Sequence, residues 1–293
     1  MEKVTKKKGS KKNNVILIIA VAAVLGFGGA FAYFAYDYFL WWRDGHTAAA
    51  NTRDTLEVFA DQMQDISNAL AAADAVDGAY IADVVGEVAA HVSFTAMSAA
   101  FDTSPLARER ERTGNPDIVA FLYIQGTNVN NVVVQGPDNS FYLYRDAMRN
   151  RNVNGALFLD FRNSPLFTDK NTIIYGHNMN NGTMFHDLRF YLREDFFESH
   201  PYITVIMDDM ALVYQIFSVF QTRIDFDYIQ VDFEDRDEFG ELVAEIMRRR
   251  VFDTGVVATA DDNMLILSTC TNVTEDTRIV VAARLSQVVL IRE

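Results

Sequence analysis

Short apolar runs separated by polar turn residues dominate the chain from Asn115 onward. The runs are rich in Val, Ile, Phe and Tyr, which favour strands. They predict strands at 118–124, 132–134, 157–161, 172–175, 202–207, 212–220, 264–270 and 278–285. Two stretches, 184–197 and 235–250, have a helical character and interrupt the strands. Many short strands at close spacing predict a mainly β protein with a closed barrel rather than a parallel sheet.

Residues 43–113 have a different pattern, which predicts helices. Apolar residues recur there at steps of three and four, the spacing of one helix face. Gly78 separates two such stripes, and their members are Leu56, Phe59, Met63, Ile66 and Leu70, then Ile81, Val84, Val88 and Val92. We expect the stripes to pack on the following domain, or to form a stalk beneath it.

The N-terminus has the pattern of a membrane anchor. Residues 15–36 carry no charge, and the aromatics Tyr38, Phe39, Trp41 and Trp42 follow. About 20 apolar residues span a bilayer as one helix, and Tyr and Trp are enriched at its interfaces. We therefore predict a transmembrane helix at 15–42 after a basic cytoplasmic tail at 1–14. The alternative is a long signal peptide, which normally has a shorter apolar core.

Charge follows the same division. Six of the seven lysines lie within residues 1–14, and residues 1–36 have a net charge of +5 against −19 for the rest. Lysines before the span predict a cytoplasmic N-terminus and an extracellular remainder. An acidic outer part argues against nucleic acid as a partner, because phosphates require a basic face. The absence of any possible intramolecular disulfide fits a surface protein of the Gram-positive type.

Cys270 is the only cysteine, and it ends the apolar run that begins at Met264. It is either an inert core thiol or a nucleophile, and a nucleophile requires a base or a cation nearby. Arg278 opens the next apolar run, so a hairpin between the two runs would bring Cys270 and Arg278 together. A fixed arginine can stabilise the oxyanion that forms during acyl transfer.

Five histidines are candidates for the base. His177 follows the predicted strand 172–175 and Gly176, a strand end of the kind that often carries catalytic groups. His186 is a second choice on the next helical segment. We interpret the other three, which are His46, His91 and His200, as structural or exposed.

At these residues the chain resembles a known family, the sortases. Leu267-Ser268-Thr269-Cys270 and the Arg278 segment are similar to the family's cysteine and arginine motifs. The segment from Thr172 to Phe185, which contains Tyr175-Gly176-His177-Asn178, resembles the histidine motif of class B sortases. Further similar segments begin at Asn115, Val134 and Gly155. Several motifs in the right order are far more specific than one.

The resemblance implies an eight-stranded sortase barrel with N-terminal helices, whose catalytic domain would be residues 114–293. It implies that Cys270 is the nucleophile, His177 the general acid and base, and Arg278 the oxyanion or substrate-carbonyl donor. It also implies that the helix at 235–250 precedes the cysteine strand and contacts the sorting signal. We predict no cofactor and no metal, and we interpret Asp208-Asp209 and Asp261-Asp262 as turn or solvated residues.

The activity implied is that of a membrane-anchored cysteine transpeptidase, with hydrolysis as a side reaction. Its partners would be the sorting-signal peptide of a secreted protein, cleaved after Thr, and an amine of the peptidoglycan precursor. Two alternatives remain open at this point: a sortase that polymerises pilins through a lysine side chain, and an inactive membrane-tethered binding module. The segment Phe141 to Arg145 is an unfamiliar version of the family's pattern, and residues 43–113 match nothing that we can place.

Overall fold

The structure is a computed structural model that describes residues 33–60, 62–64, 92–98, 104–270 and 277–292, with only the backbone described at 94–98, 270 and 292. The chain divides into two compact units, Met1–His46 and Thr47–Glu293. In the first unit, residues 33–46 are helical, and their aromatic side chains are largely exposed. The predicted membrane span at 15–42 lies mostly outside the described residues. No described helix has the length and apolar character needed to cross a bilayer.

The second unit contains four α-helices, one 3₁₀ helix and nine strands within the described residues. Helix α1 covers residues 47–60. The elements that follow are β1 Ser93–Ser98, α2 Pro105–Thr113, β2 Ile118–Tyr123, β3 Asn130–Val134, β4 Leu157–Leu159, β5 Asn171–Tyr175, the 3₁₀ helix His186–Leu192, α3 Glu194–Ser199, β6 Tyr202–Ile206, β7 Met210–Arg223, α4 Arg236–Arg248, β8 Met264–Cys270 and β9 Thr277–Arg292.

Strands β2 to β9 close into an eight-stranded barrel, as expected. Their order is β9-β7-β6-β2-β3-β4-β5-β8, and β8 pairs again with β9 to complete the circle. Most neighbours are antiparallel, but β3–β4 and β5–β8 are parallel. The β5–β8 pair brings the ends of two strands that are distant in sequence to the same rim of the barrel.

Alternation of side chains along the strands sorts the apolar residues into three clusters. One cluster takes members from every barrel strand, among them Leu122, Ile174, Leu267 and Val281, and it fills the interior. A second lies outside the barrel and includes Phe59 of α1 stacked on Phe121, with ring centroids 4.2 Å apart. The third lies under α4. Burial of these alternate faces is the main force that holds the barrel closed.

Helix α4 forms where the sequence predicts a helix, in the connection between β7 and β8. Asp235 caps its first turn by accepting hydrogen bonds from the backbone N–H groups of Asp237 and Glu238. Its buried residues recur at helical spacing and pack on the outer face of the barrel; they are Phe239, Leu242, Val243 and Ile246.

The helical prediction for residues 43–113 is wrong in one place. Residues 93–98 form strand β1, which pairs in parallel with the C-terminal half of β9. Strand β9 extends beyond β8 and offers an edge there, and an added strand satisfies the backbone groups of that edge. The first stripe is confirmed for Leu56, Phe59 and Met63, which pack against the second cluster. Ile66, Leu70, Ile81, Val84 and Val88 lie outside the described residues.

Candidate active site

Three sequence-predicted residues lie at one rim of the barrel. Cys270 ends β8, and its Cα pairs across the hairpin with that of Arg278 on β9, which confirms the predicted hairpin. On the other side of β8, Tyr175 of β5 is in register with Ser268, and Gly176 N–H donates to the Ser268 carbonyl over 3.3 Å. His177 and Cys270 each come two residues after this pair. Of Cys270 the structure describes the backbone alone.

A cavity of about 410 Å³ opens at this rim. His177 and Arg278 both line it, together with the end of β8. The remaining lining residues are Asn139, Leu143, Phe158, Tyr175, Gly176 and the stretch from Ile224 to Ile229. The imidazole and the guanidinium therefore open onto the same space, beside the strand end that carries the cysteine.

His177 is held from two sides. Its Nε2 lies 2.8 Å from the Leu143 carbonyl oxygen, and its own carbonyl accepts from Phe185 N–H over 2.9 Å. A carbonyl oxygen can only accept, so Nε2 carries the proton and the neutral ring has its lone pair on Nδ1. Burial lowers the pKa of His177, and the hydrogen bond to Leu143 opposes that shift without cancelling it. The ring is thus neutral at pH 7.

Gly176 allows the close packing that sets the position of His177. A Cβ at this glycine would lie 2.4 Å from a Leu157 side-chain carbon and 2.8 Å from a Phe185 ring carbon. No larger residue fits there unless the side chains of Leu157 and Phe185 move. The Gly-His sequence is therefore a packing requirement as well as a motif.

Arg278 begins the part of β9 that pairs with β8. Its side chain is partly exposed, and its Nη1 donates to the Thr277 carbonyl oxygen over 3.1 Å. Arginine offers a planar fork of N–H donors that stay charged at any physiological pH. At the mouth of the cavity such a group can bind a developing oxyanion.

A buried carboxylate holds two residues of the cavity wall, Asn139 and Tyr175, in place. Asp160 is fully buried and accepts hydrogen bonds from Arg162, Asn139 and the Tyr175 hydroxyl, the last over 2.9 Å. Burial alone would raise the pKa of Asp160, but the hydrogen bonds from Arg162 and its other partners lower it overall. Burial, followed by the Asp160 charge, raises the pKa of Tyr175. These contacts fix Asn139 and Tyr175 where they line the cavity.

The other histidine candidates have structural contacts. The Nδ1 of His186 is within 2.5 Å of the Met179 carbonyl, and the Nδ1 of His200 is 2.8 Å from the Phe196 carbonyl. His46 packs on Trp42, with ring centroids 4.3 Å apart, and His91 lies outside the described residues. Among the described histidines, His177 alone lines the cavity.

The adjacent aspartates form ion pairs and turns. Asp208 pairs with Arg110 over 2.9 Å, and Asp261 pairs with Arg236 over 2.8 Å. Asp262 accepts from the backbone N–H of Thr259 in the turn before β8. Within the described ranges, no three His, Cys, Asp or Glu side chains lie close enough to hold a metal ion.

Sequence reasoning missed the residues that surround Cys270, His177 and Arg278. Leu143 contributes a backbone oxygen, which leaves no signature in side-chain type. Asn139, Tyr175 and Tyr228 belong to the wall, and the Tyr228 hydroxyl lies 2.7 Å from that of Ser268. Tyr175 and Ser268 lie within the histidine and cysteine motifs. Their closeness in sequence to His177 and Cys270 was the one signal that could have identified them.

Comparison with known proteins agrees with this architecture. A model of the sortase domain matches residues 122–286. Sortase B of Listeria monocytogenes is 36% identical over 156 residues, covering 53% of this chain and 63% of that protein. Sortase B of Staphylococcus aureus is 36% identical over 176 residues, covering 59% and 72%. The structure of a Staphylococcus aureus sortase B–substrate complex superposes with a TM-score of 0.57 at 35% identity, covering 61% of this chain and 84% of that one. The match thus spans less than two thirds of the Listeria protein.

Proposed function

Because the chain belongs to the sortase family, whose sortase B members are cysteine transpeptidases, we propose that it joins secreted proteins to a cell-surface amine. It would cleave a C-terminal sorting signal after Thr and transfer the new carboxyl end to an amine of the peptidoglycan precursor. The observation that carries the proposal is the cavity lined by both His177 and Arg278 beside the strand end of Cys270.

The first half-reaction forms a thioester. Neutral His177 first takes the proton of the Cys270 thiol. The resulting thiolate attacks the carbonyl carbon of the substrate threonine, and the carbonyl oxygen gains the negative charge. Arg278 neutralises that charge, a contribution that is commonly worth ~100-fold or more in rate. The C–N bond then breaks as protonated His177 gives its proton to the departing amine. The products are a thioester on Cys270 and a free C-terminal fragment.

The second half-reaction consumes the thioester. An acceptor amine attacks the thioester carbonyl while neutral His177 removes its proton. The C–S bond breaks, Cys270 leaves as the thiolate, and a new amide remains. The pKa of His177 below its ordinary value suits this base role, because the ring is unprotonated at pH 7 when the amine arrives.

The N-terminal segment gives the proposal its location. Residues 15–42 would anchor the enzyme as a single transmembrane helix, with residues 1–14 in the cytoplasm and the barrel outside the cell. This placement follows from the uncharged run and the lysines before it. It would confine the barrel where secreted chains emerge and where a lipid-linked precursor is available.

A peptide-transfer assay tests the function. Full-length protein in mild detergent is incubated with a library of threonine-containing peptides and amine acceptors, and products are identified by mass spectrometry. We expect cleavage after Thr, amide formation, and a covalent peptide adduct on Cys270 when the acceptor is omitted. A short peptide amine and a peptide with an internal lysine distinguish anchoring from pilin polymerisation.

Substitution of the nucleophile provides the decisive control. Cys270→Ala should abolish both product and adduct, a loss of at least ~10³-fold if the nucleophile is essential. Product from the Cys270→Ala variant would eliminate the covalent route. A wild-type protein that binds sorting peptides without cleaving them, and whose Cys270 resists iodoacetamide, would instead support a binding module.

A further inference from the structure

The carbonyl that holds His177 belongs to a loop with its own buried anchor. Leu143 lies between β3 and β4, and the preceding residue, Tyr142, is fully buried. The Tyr142 carbonyl accepts from Ala156 N–H over 3.1 Å, and Leu143 N–H donates to Ser140 O over 3.2 Å. The position of the Leu143 carbonyl therefore depends on where Tyr142 is fixed.

The Tyr142 hydroxyl is fixed by polar partners from the segment just before β2. It donates to Asp117 Oδ2 over 2.6 Å and accepts from Asn115 Nδ2 over 2.9 Å. Asn115 is itself fully buried, and its Nδ2 also donates to the Ala147 carbonyl over 2.8 Å. Arg149 also contacts this cluster, through a 2.9 Å ion pair with Asp117. A buried hydroxyl with this many partners has one position.

Gly155 constrains the same carbonyl from the other side. It has a φ of +61°, and a Cβ there would lie 2.6 Å from the Leu143 oxygen and 2.9 Å from the Tyr142 oxygen. Only glycine permits this approach, because it has no Cβ and tolerates positive φ. The Leu143 carbonyl is thus confined between a tyrosine anchor and a glycine backbone.

We propose that Tyr142 is a positioning residue for transpeptidation: its anchored hydroxyl sets the Leu143 carbonyl, which holds His177 with the proton on Nε2, so that Nδ1 exchanges protons with the reacting groups. The inference deepens the proposed function and depends on it for its kinetic consequences. It gives a role to Asn115 and Asp117, which lie far from His177 in sequence. Tyr142 does not line the cavity, so it acts only through Leu143.

The physical consequence is control of tautomer and orientation. A neutral imidazole can carry its proton on either nitrogen, and the hydrogen bond made by one nitrogen decides which. Without a fixed acceptor at Nε2, part of the population would carry the proton on Nδ1 and could not accept one there. Rotation of the ring would add a misplacement, and a shift near 1 Å can cost ~100-fold in rate.

Two variants disturb the carbonyl by independent routes. Tyr142→Phe removes the hydroxyl and leaves the ring in the core. Gly155→Ala forces a methyl group against the Leu143 oxygen. For each we expect kcat to fall roughly 10- to 100-fold, with the peptide KM changed less than about twofold, since orientation and not substrate binding is lost.

Each variant has a matched control. Tyr191 is another fully buried tyrosine, whose hydroxyl donates to the His200 carbonyl over 2.8 Å, so Tyr191→Phe loses a comparable hydrogen bond away from Leu143. Gly255 has a φ of +70°, and a Cβ added there would meet no atom within 4 Å, so Gly255→Ala carries the same backbone cost without the contact. Both controls should retain wild-type kcat.

A spectroscopic measurement separates positioning from general destabilisation. In ¹⁵N-histidine-labelled full-length protein, two-bond ¹H–¹⁵N correlations identify the tautomer of His177, with His177→Gln used for assignment. We expect the Nε2–H pattern in the wild type and both controls, and a mixed or averaged pattern in Tyr142→Phe and Gly155→Ala. An unchanged Nε2–H pattern with wild-type kcat in both test variants would overturn the inference.

The two hypotheses fail differently. If the wild type makes no product, the proposed function fails, and the His177 spectrum alone still supports or overturns the positioning role. If the wild type is active and Tyr142→Phe matches Tyr191→Phe in both kcat and spectrum, the positioning role fails while the proposed function survives.

Discussion

The functional residues on the two sides of the cavity are positioned in different ways. On the β8–β9 side, Cys270 and Arg278 come together through one hairpin register. On the β5 side, His177 depends on barrel closure, on Gly176 packing and on a carbonyl from the loop between β3 and β4. One half of the site is local in sequence, and the other is assembled from distant segments. Local pairs tolerate distant changes, whereas assembled groups can be lost through residues that never touch substrate.

After loss of the nucleophile itself, the largest effect is expected on the local side, where we propose that Arg278 contacts the substrate carbonyl. Arg278→Lys keeps a positive charge but loses the planar fork, and we expect kcat/KM to fall ~100-fold or more. Thermal stability should change little, because the residue is partly exposed. Arg284→Lys, on the same strand and paired with Met264 at the opposite end of β8, is the control. Equal activity of the two lysine variants would remove Arg278 from the mechanism.

The next effect tests the assembled side through Gly176. Gly176→Ala should destabilise the fold by about 1–3 kcal/mol, because its methyl group overlaps Leu157 and Phe185. It should also reduce kcat, because relief of the overlap moves the end of β5 and His177 with it. Urea denaturation and the peptide-transfer assay measure the two losses.

Gly240 provides the comparison for Gly176. A Cβ at Gly240 in α4 would meet only the Ala260 Cβ, at 3.3 Å, and Ala favours helices over Gly by up to ~1 kcal/mol. Gly240→Ala should therefore be neutral or stabilising and fully active. If Gly176→Ala keeps wild-type stability and kcat, the side chains around Gly176 can rearrange without displacing His177, and tight packing there is not needed to position the ring.

Sequence reasoning predicted the local side more completely than the assembled side. The apolar runs that end at Cys270 and begin at Arg278 made a hairpin possible, and β8 and β9 do pair. A strand-end position and the family motif singled out His177 as a candidate. The barrel, the position of α4 and the family are confirmed. The Leu143 carbonyl could not be predicted, because a backbone oxygen can belong to any residue type and reaches His177 only after β4 and β5 pair. Strand β1 was missed for a related reason. Its partner is the free edge of β9, which forms only where β9 extends beyond its pairing with β8.

A smaller effect is expected from the wall of the cavity. Tyr175→Phe removes one of several hydrogen bonds to buried Asp160, and we expect a loss of about 1–2 kcal/mol in unfolding free energy. Tyr144→Phe, at an exposed tyrosine, should stay within about 0.5 kcal/mol of the wild type. If urea midpoints of the two variants coincide, the Tyr175–Asp160 hydrogen bond contributes nothing to the fold.

The smallest effect is a pH dependence that reports on the assembled side alone. Burial lowers the pKa of His177 below its ordinary value of 6.5. Well above pH 6.5 the residue is neutral in both folded and unfolded chains and has no pH-dependent effect. As the pH falls below 6.5, the unfolded chain takes up the proton first, so this residue's contribution to stability decreases until the folded pKa is passed.

His177→Gln isolates that contribution, because glutamine does not titrate and the other ionisable groups are common to both proteins. The unfolding free energy of the wild type minus that of His177→Gln, measured in urea from about pH 7.5 to about pH 5, should be constant above the ordinary histidine pKa and decrease below it. The same difference in the Tyr142→Phe background should decrease more steeply, because the Leu143 hydrogen bond that partly sustains the folded pKa is weakened. A difference that grows as the pH falls would mean that the folded protein binds the proton more tightly than the unfolded chain. It would contradict a buried, neutral imidazole at this rim.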